Sequence, residues 1–92
     1  MFYREDGFIQ LNQGNIISGL SISGNILLGE LGFVRVVLES LSGNEYLVLE
    51  TNSTFERDSI ISFTEYCEET SMLDNVIPKR LIITISDASL TI

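Results

Sequence analysis

Apolar residues recur at every second position through much of this 92-residue chain, the period of a strand with one buried face. Val34, Val36 and Leu38 share one parity, with Arg35 and Glu39 on the other; Val37 adds an apolar side chain to that second face. Leu81, Ile83 and Ile85 alternate with Ile82, Thr84 and Ser86. Beyond Asp87 the apolar parity shifts to Ala88, Leu90 and Ile92, which predicts a bulge or turn at Asp87. The stretch Tyr46-Leu47-Val48-Leu49 is apolar on both parities and reads as a strand covered on both sides. Phe8–Leu11 and Ile16–Ile22 read as further strands, the second interrupted by Ser18. Ending on Leu90-Thr91-Ile92, the chain is expected to pair its C-terminus into sheet.

Gly-Asn pairs at Gly14-Asn15, Gly24-Asn25 and Gly43-Asn44 lie between these runs and read as turns, because both residues tolerate positive φ. Their order suits loops slightly longer than the two-residue hairpin. The remaining glycines match no phosphate-binding loop and read as turns, bulges or tight packing between strands. Pro78, the only proline, stands before the last strand, where its missing N–H does least harm.

One segment, Ser53 to Leu73, supports two readings. Ser53 and Glu56 have capping-box spacing, and Phe55, Ile60, Phe63, Tyr66 and Cys67 fall on one side of a helical wheel. Against a helix, Ile60, Ile61, Phe63, Thr64 and Tyr66 are residue types that favour strand. The expected fold is therefore mainly β: an antiparallel sheet or sandwich of about six to eight short strands, in one compact domain spanning 1–92. The alternative is α+β, with one helix around residues 54–69 packed on an antiparallel sheet.

Composition adds a strong electrostatic sign. Thirteen Asp and Glu stand against five Lys and Arg, a formal net charge of −8. Such a surface repels phosphates and anionic lipid and attracts basic partners. One cysteine permits no internal disulfide, which suits a reducing compartment; the acidic start is unlike a signal peptide, and no apolar run has the roughly 20 residues that span a bilayer. The expectation is a complete cytoplasmic protein that binds neither nucleic acid nor membrane.

The residue inventory argues against catalysis. Histidine is absent, which removes Ser–His and Cys–His nucleophile pairs and the commonest transition-metal ligand. Cys67 lies among Glu65, Glu68 and Glu69, whose charge disfavours a thiolate, so it reads as a small buried hydrophobe. One Cys without His makes no zinc site, and the cluster Glu65, Glu68, Glu69 and Asp74 lacks the Gly-centred loop of a calcium site. Neither enzyme activity, cofactor nor metal is expected. Lys79-Arg80, the only basic pair, reads as a gatekeeper beside a hydrophobic strand at a sheet edge, and Phe2 and Tyr3 as a cap on a core edge.

Nine of the thirteen acids fall between Glu39 and Asp74, a stretch with Arg57 as its one base. Solubility alone would spread charge evenly, so this bias points to a binding face. The expected function is a non-catalytic inhibitor that covers the basic surface of a nucleic-acid-handling partner protein. Immunity proteins of nuclease toxins and phage anti-defence proteins such as anti-CRISPRs are similarly short, acidic and His-poor. Glu65, Glu68, Glu69 and Asp74 are the expected contacts, followed by Glu45 and Glu50. The alternative is a self-associating β module, a homodimer through strand edges, in which the acids serve only solubility. A small-ligand barrel ranks last, because so short a chain leaves little room for a cavity.

Overall fold

A computed structural model describes residues 1–11, 15–53 and 60–92. The described chain is mainly β, with six strands in one antiparallel sheet: β1 (Phe2–Tyr3), β2 (Gly7–Gln10), β3 (Ile22–Ser40), β4 (Glu45–Asn52), β5 (Ile60–Tyr66) and β6 (Pro78–Thr91). The expected strand class and count therefore hold. The pairing is neither a meander nor two separate sheets. Long β3 and β6 lie side by side at the centre, and the short strands share the flanks. β4 pairs the C-terminal half of β3 and β5 its N-terminal half, while β1 and β2 pair opposite ends of β6.

The even-numbered residues of β3 supply the core face: Ile22, Ile26, Leu28, Val34, Val36 and Leu38 are all buried. Leu81, Ile83, Ile85 and Leu90 of β6 join them, as the alternation predicted. Residues 15–21 and 67–77 close this face. Leu20 N–H donates to Thr70 O at 2.8 Å, Leu73 N–H to Ser18 O at 2.8 Å, and Ile17 N–H to Val76 O at 2.8 Å. Ile16–Ile22 is thus not the expected strand; only Ile17 forms a bridge, to Val76, and the strand begins at Ile22. Its apolar residues cover the core rather than extend the sheet: Ile17 and Leu20 pack on it half-buried.

The parity shift at Asp87 is real. Between Leu28↔Ala88 and Phe33↔Ser86, residues 29–32 of β3 face Asp87 alone on β6. Asp87 adopts φ 46°, and its carboxylate accepts the Leu31 N–H at 3.1 Å. Gly29 lies against that carboxylate so closely that a Cβ would collide with it. Gly43-Asn44 closes the turn between β3 and β4, with Gly43 at φ 94°. Gly24-Asn25 is not a turn but lies within β3, where the backbone of Thr91 leaves no room for a side chain at Gly24. Gly14 and the capping residue Glu56 lie outside the described residues, as does Phe55. Over 60–66 the alternative helix gives way to β5, whose β-branched and aromatic residues pair with Ile22–Leu27.

The double apolar run in β4 has a local cause. Val36↔Leu49 is followed by Val37↔Leu47, so Val48 is an extra residue in a bulge. The bulge turns both Val48 and Leu49 into the core, and Leu47 stays half-buried on the other face. There Phe8, Ile82, Val37 and Leu47 stand in register across four strands. Among the described residues no helix is long and apolar enough to cross a membrane.

Candidate functional site

The expected contact residues gather along one flank of the sheet. Glu45 opens β4 and Glu50 stands in its second half, Glu65 is near the end of β5, and Glu68 and Glu69 follow it along the outer edge of β4. All five are exposed, as is Asp74 in the loop that packs beside the β3–β4 turn. Two features of the sequence produce this line of carboxylates. A bulge opposite Ser23, between Ile22↔Tyr66 and Gly24↔Phe63, puts Glu65 at φ 47° with its N–H on Ser23 Oγ at 2.8 Å. The chain then runs back along β4, where Glu68 N–H donates to Val48 O at 3.0 Å and Glu69 N–H to Leu47 O at 2.9 Å.

The six acids are not equivalent. Glu69 Oε1 accepts the Leu47 N–H at 2.8 Å and so caps a ladder position on the β4 edge. Glu68 Oε1 accepts the Tyr66 hydroxyl at 2.8 Å. Glu50 stands across from Arg35 in the register and Glu45 across from Glu39. The side chains of Asp74 and Glu45 form no hydrogen bond or ion pair with another described residue. Glu56, Arg57 and Asp58 lie outside the described residues.

Of the described cations, Arg35 stands across from Glu50 without forming an ion pair, and the others lie elsewhere. Arg80 Nε meets Glu39 Oε1 at 2.8 Å, and Lys79 Nζ reaches the same oxygen at 3.7 Å. These are the ion pairs among the described residues, so none joins any of the six acids. Lys79 and Arg80 are therefore not gatekeepers at an edge: β6 is an interior strand flanked by β2 and β3, and the pair holds Glu39, whose side chain is 15% exposed. Arg80 also covers the Phe8 ring at 5.5 Å, as Arg4 covers Phe2 at 5.3 Å. Phe2 and Tyr3 form β1 against Leu90 and Thr91, with Tyr3 packed on the core and Phe2 exposed.

Cys67 is half-buried rather than fully buried, because the chain leaves β5 there and turns onto the outer edge of β4. Among the described residues no three His, Cys, Asp or Glu side chains converge as a metal site.

Sequence reasoning missed a cavity of about 350 Å³ between the β3–β4 turn and the loop at 74–77. Ser40 and Val76 of its lining are buried and Tyr46 and Ile77 half-buried, while Leu41, Ser42, Asn44, Asp74 and Asn75 are exposed. Ser40 Oγ shares a hydrogen bond with Ser42 Oγ at 2.9 Å and accepts the Asn44 N–H at 3.1 Å, which fixes the turn. Leu41 N–H to Ile77 O at 2.9 Å ties the two walls together. The available signal was Ser-Leu-Ser-Gly-Asn followed by a tyrosine, a self-bonded turn beside an aromatic residue. Comparison with family models, with curated proteins and with solved structures found no match.

Proposed function

We infer that this protein is a non-catalytic, cytoplasmic binding protein that inhibits a basic, nucleic-acid-handling partner by covering its basic surface. An immunity protein of a nuclease toxin and a phage anti-defence protein of the anti-CRISPR type both fit that description. The observation that carries the reading is the separation of charge. Glu45, Glu50, Glu65, Glu68 and Glu69 follow the β4–β5 flank and Asp74 sits beside it, unpaired with any described cation. Lys79 and Arg80 are spent on Glu39. A flank in which six carboxylates face one described cation, Arg35 across from Glu50, steers a cationic partner and offers carboxylates to the Lys and Arg that otherwise hold phosphate. The protein performs no chemistry in this role; it excludes substrate by bulk.

The test is capture from the source cell's lysate with the purified chain as bait, washed at rising salt. A basic nuclease or effector should be retained, and its yield should fall steeply with salt. Replacing a carboxylate that becomes buried against that partner should weaken binding by about 2–5 kcal/mol. Retention that ignores salt, or a partner without a basic surface, contradicts the reading.

The outer side of β5 favours a second reading, a self-associating β module. Among the described residues β5 pairs only with β3, and Ile60 on it is 66% exposed. An edge free of lysine and proline is a template for another strand. Sedimentation at increasing protein concentration separates the two readings: the module forms dimers or larger species, and the inhibitor keeps its acidic flank free.

A further inference from the structure

The geometry points to the cavity between the β3–β4 turn and the 74–77 loop as a socket for one arginine side chain of a bound protein. This rests on the inhibitor reading and adds to it the anchor that would give the contact specificity. A flank of carboxylates attracts any cation, whereas a shaped pocket selects one.

Three features argue for a guanidinium. The first is size. At about 350 Å³ the cavity is at the small end of the ~300–1,000 Å³ of ligand pockets, enough for a side chain but not for a large cofactor. The second is the division of its lining. Leu41, Val76 and Ile77 offer apolar surface to an aliphatic stem, while Ser42, Asn44 and Asp74 supply polar groups. Arginine has this division itself, an apolar stem and a charged planar head with several fixed donors. The third is the supply of free acceptors. Asp74 has no hydrogen-bond or salt-bridge partner, and no other side chain takes up the hydroxyl of half-buried Tyr46. A carboxylate favours a guanidinium by charge and by paired hydrogen bonds, and a tyrosine ring adds cation–π attraction.

The socket is also pre-formed. The Ser40–Ser42–Asn44 hydrogen bonds and the Leu41–Ile77 tie hold both walls before anything binds. Little ordering entropy is left to lose on association. Asn75, at φ 52°, turns the chain beside Asp74 and sends Val76 inward to the core.

The experiment follows backbone amide shifts of the full chain by NMR, with N-acetyl-argininamide as probe. The neutral citrulline analogue and the lysine analogue serve as comparisons. Saturable shifts are expected at Ser42, Asn44 and Asn75. D74N should weaken the binding about tenfold or more, the scale of a lost charge-assisted pair. Asp74 is exposed and bonds nothing, so D74N should keep the native spectrum elsewhere. The double variant E65Q/E68Q should leave the shifts intact. No local response, an equal response in D74N, equal binding of citrulline or lysine, or shifts spread over all carboxylates would each overturn the socket. The two readings fail separately. A basic partner captured from lysate while the amides ignore the probe removes the socket alone. Probe binding without any basic partner removes the inhibitor reading and leaves an arginine-binding pocket.

Discussion

Gly24 and Asp87 each decide the path of a central strand. At Gly24 the obstacle is backbone: a Cβ would run into the Thr91 carbonyl oxygen and lie 3.1 Å from Ile92 Cα. No side-chain rotation relieves that, so β3 and β6 would have to part. G24A should lose about 1–3 kcal/mol, the range of overpacked sites, measured by urea unfolding. Asp87 combines a left-handed backbone with a carboxylate that holds Leu31 N–H. Asn tolerates that backbone and keeps an acceptor, so D87N should be mild. D87A loses both and should cost about 1–2 kcal/mol. Equal stability of the two variants would show that the corner does not depend on the carboxylate.

Among the elements, β4 shows how an acidic residue can serve the fold rather than a partner. Its outer edge is covered by the backbone of Glu68 and Glu69 and by the Glu69 carboxylate on Leu47 N–H. E69A should cost about 0.5–1.5 kcal/mol as that hydrogen bond is lost, and E69Q, which keeps an acceptor oxygen, should lose little. Thermal unfolding distinguishes them, and equal loss in both would place the contribution in charge instead. The C-terminal pairing is larger in effect. Leu90 is fully buried between Ile26 and Tyr3, and Thr91 pairs with both Asn25 and Phe2. Losing one such leucine costs about 2–5 kcal/mol against a typical total of about 5–15. Removing Leu90–Ile92 should therefore unfold the sheet, visible as loss of the β signal in circular dichroism.

These same elements show what was legible beforehand. Strict alternation revealed β6, its break at Asp87 and the core face of β3 from Val34 to Leu38, because period two is set by the pleat itself; the earlier half of β3 was hidden by the turn expected at Gly24-Asn25. The role of Gly24 was not legible, since turn chemistry and close strand approach ask for the same residue. Nor was the clamp of Lys79 and Arg80 on Glu39, a contact across 40 residues of chain that depends on strand order. Of the candidate site, the sequence told of a shared region but not of roles. Nothing local distinguishes Glu69, which caps an edge, from Asp74, which bonds nothing.

At the scale of the whole molecule, a chain of net charge −8 with unpaired carboxylates on one flank should repel itself. Raising salt from about 0.01 M to about 0.1 M contracts the screening length from about 30 Å to about 10 Å. If that relieves about 1 kcal/mol of repulsion, the melting temperature should rise by about 4–8 °C in a protein of this size. E65Q/E68Q should melt higher than the native chain at low salt and respond less to added salt. Both substitutions keep an acceptor, so the Tyr66 hydroxyl still has its partner at Glu68. A fall in melting temperature would mean that these carboxylates stabilise the fold locally. The same variant also separates the two uses of charge. A flank that serves only solubility can be neutralised without loss of any binding partner. A binding flank is kept at the expense of stability, so E65Q/E68Q should gain in melting temperature and lose in capture of the basic partner at once. Gain without loss would remove Glu65 and Glu68 from the contact and leave the solubility role for them.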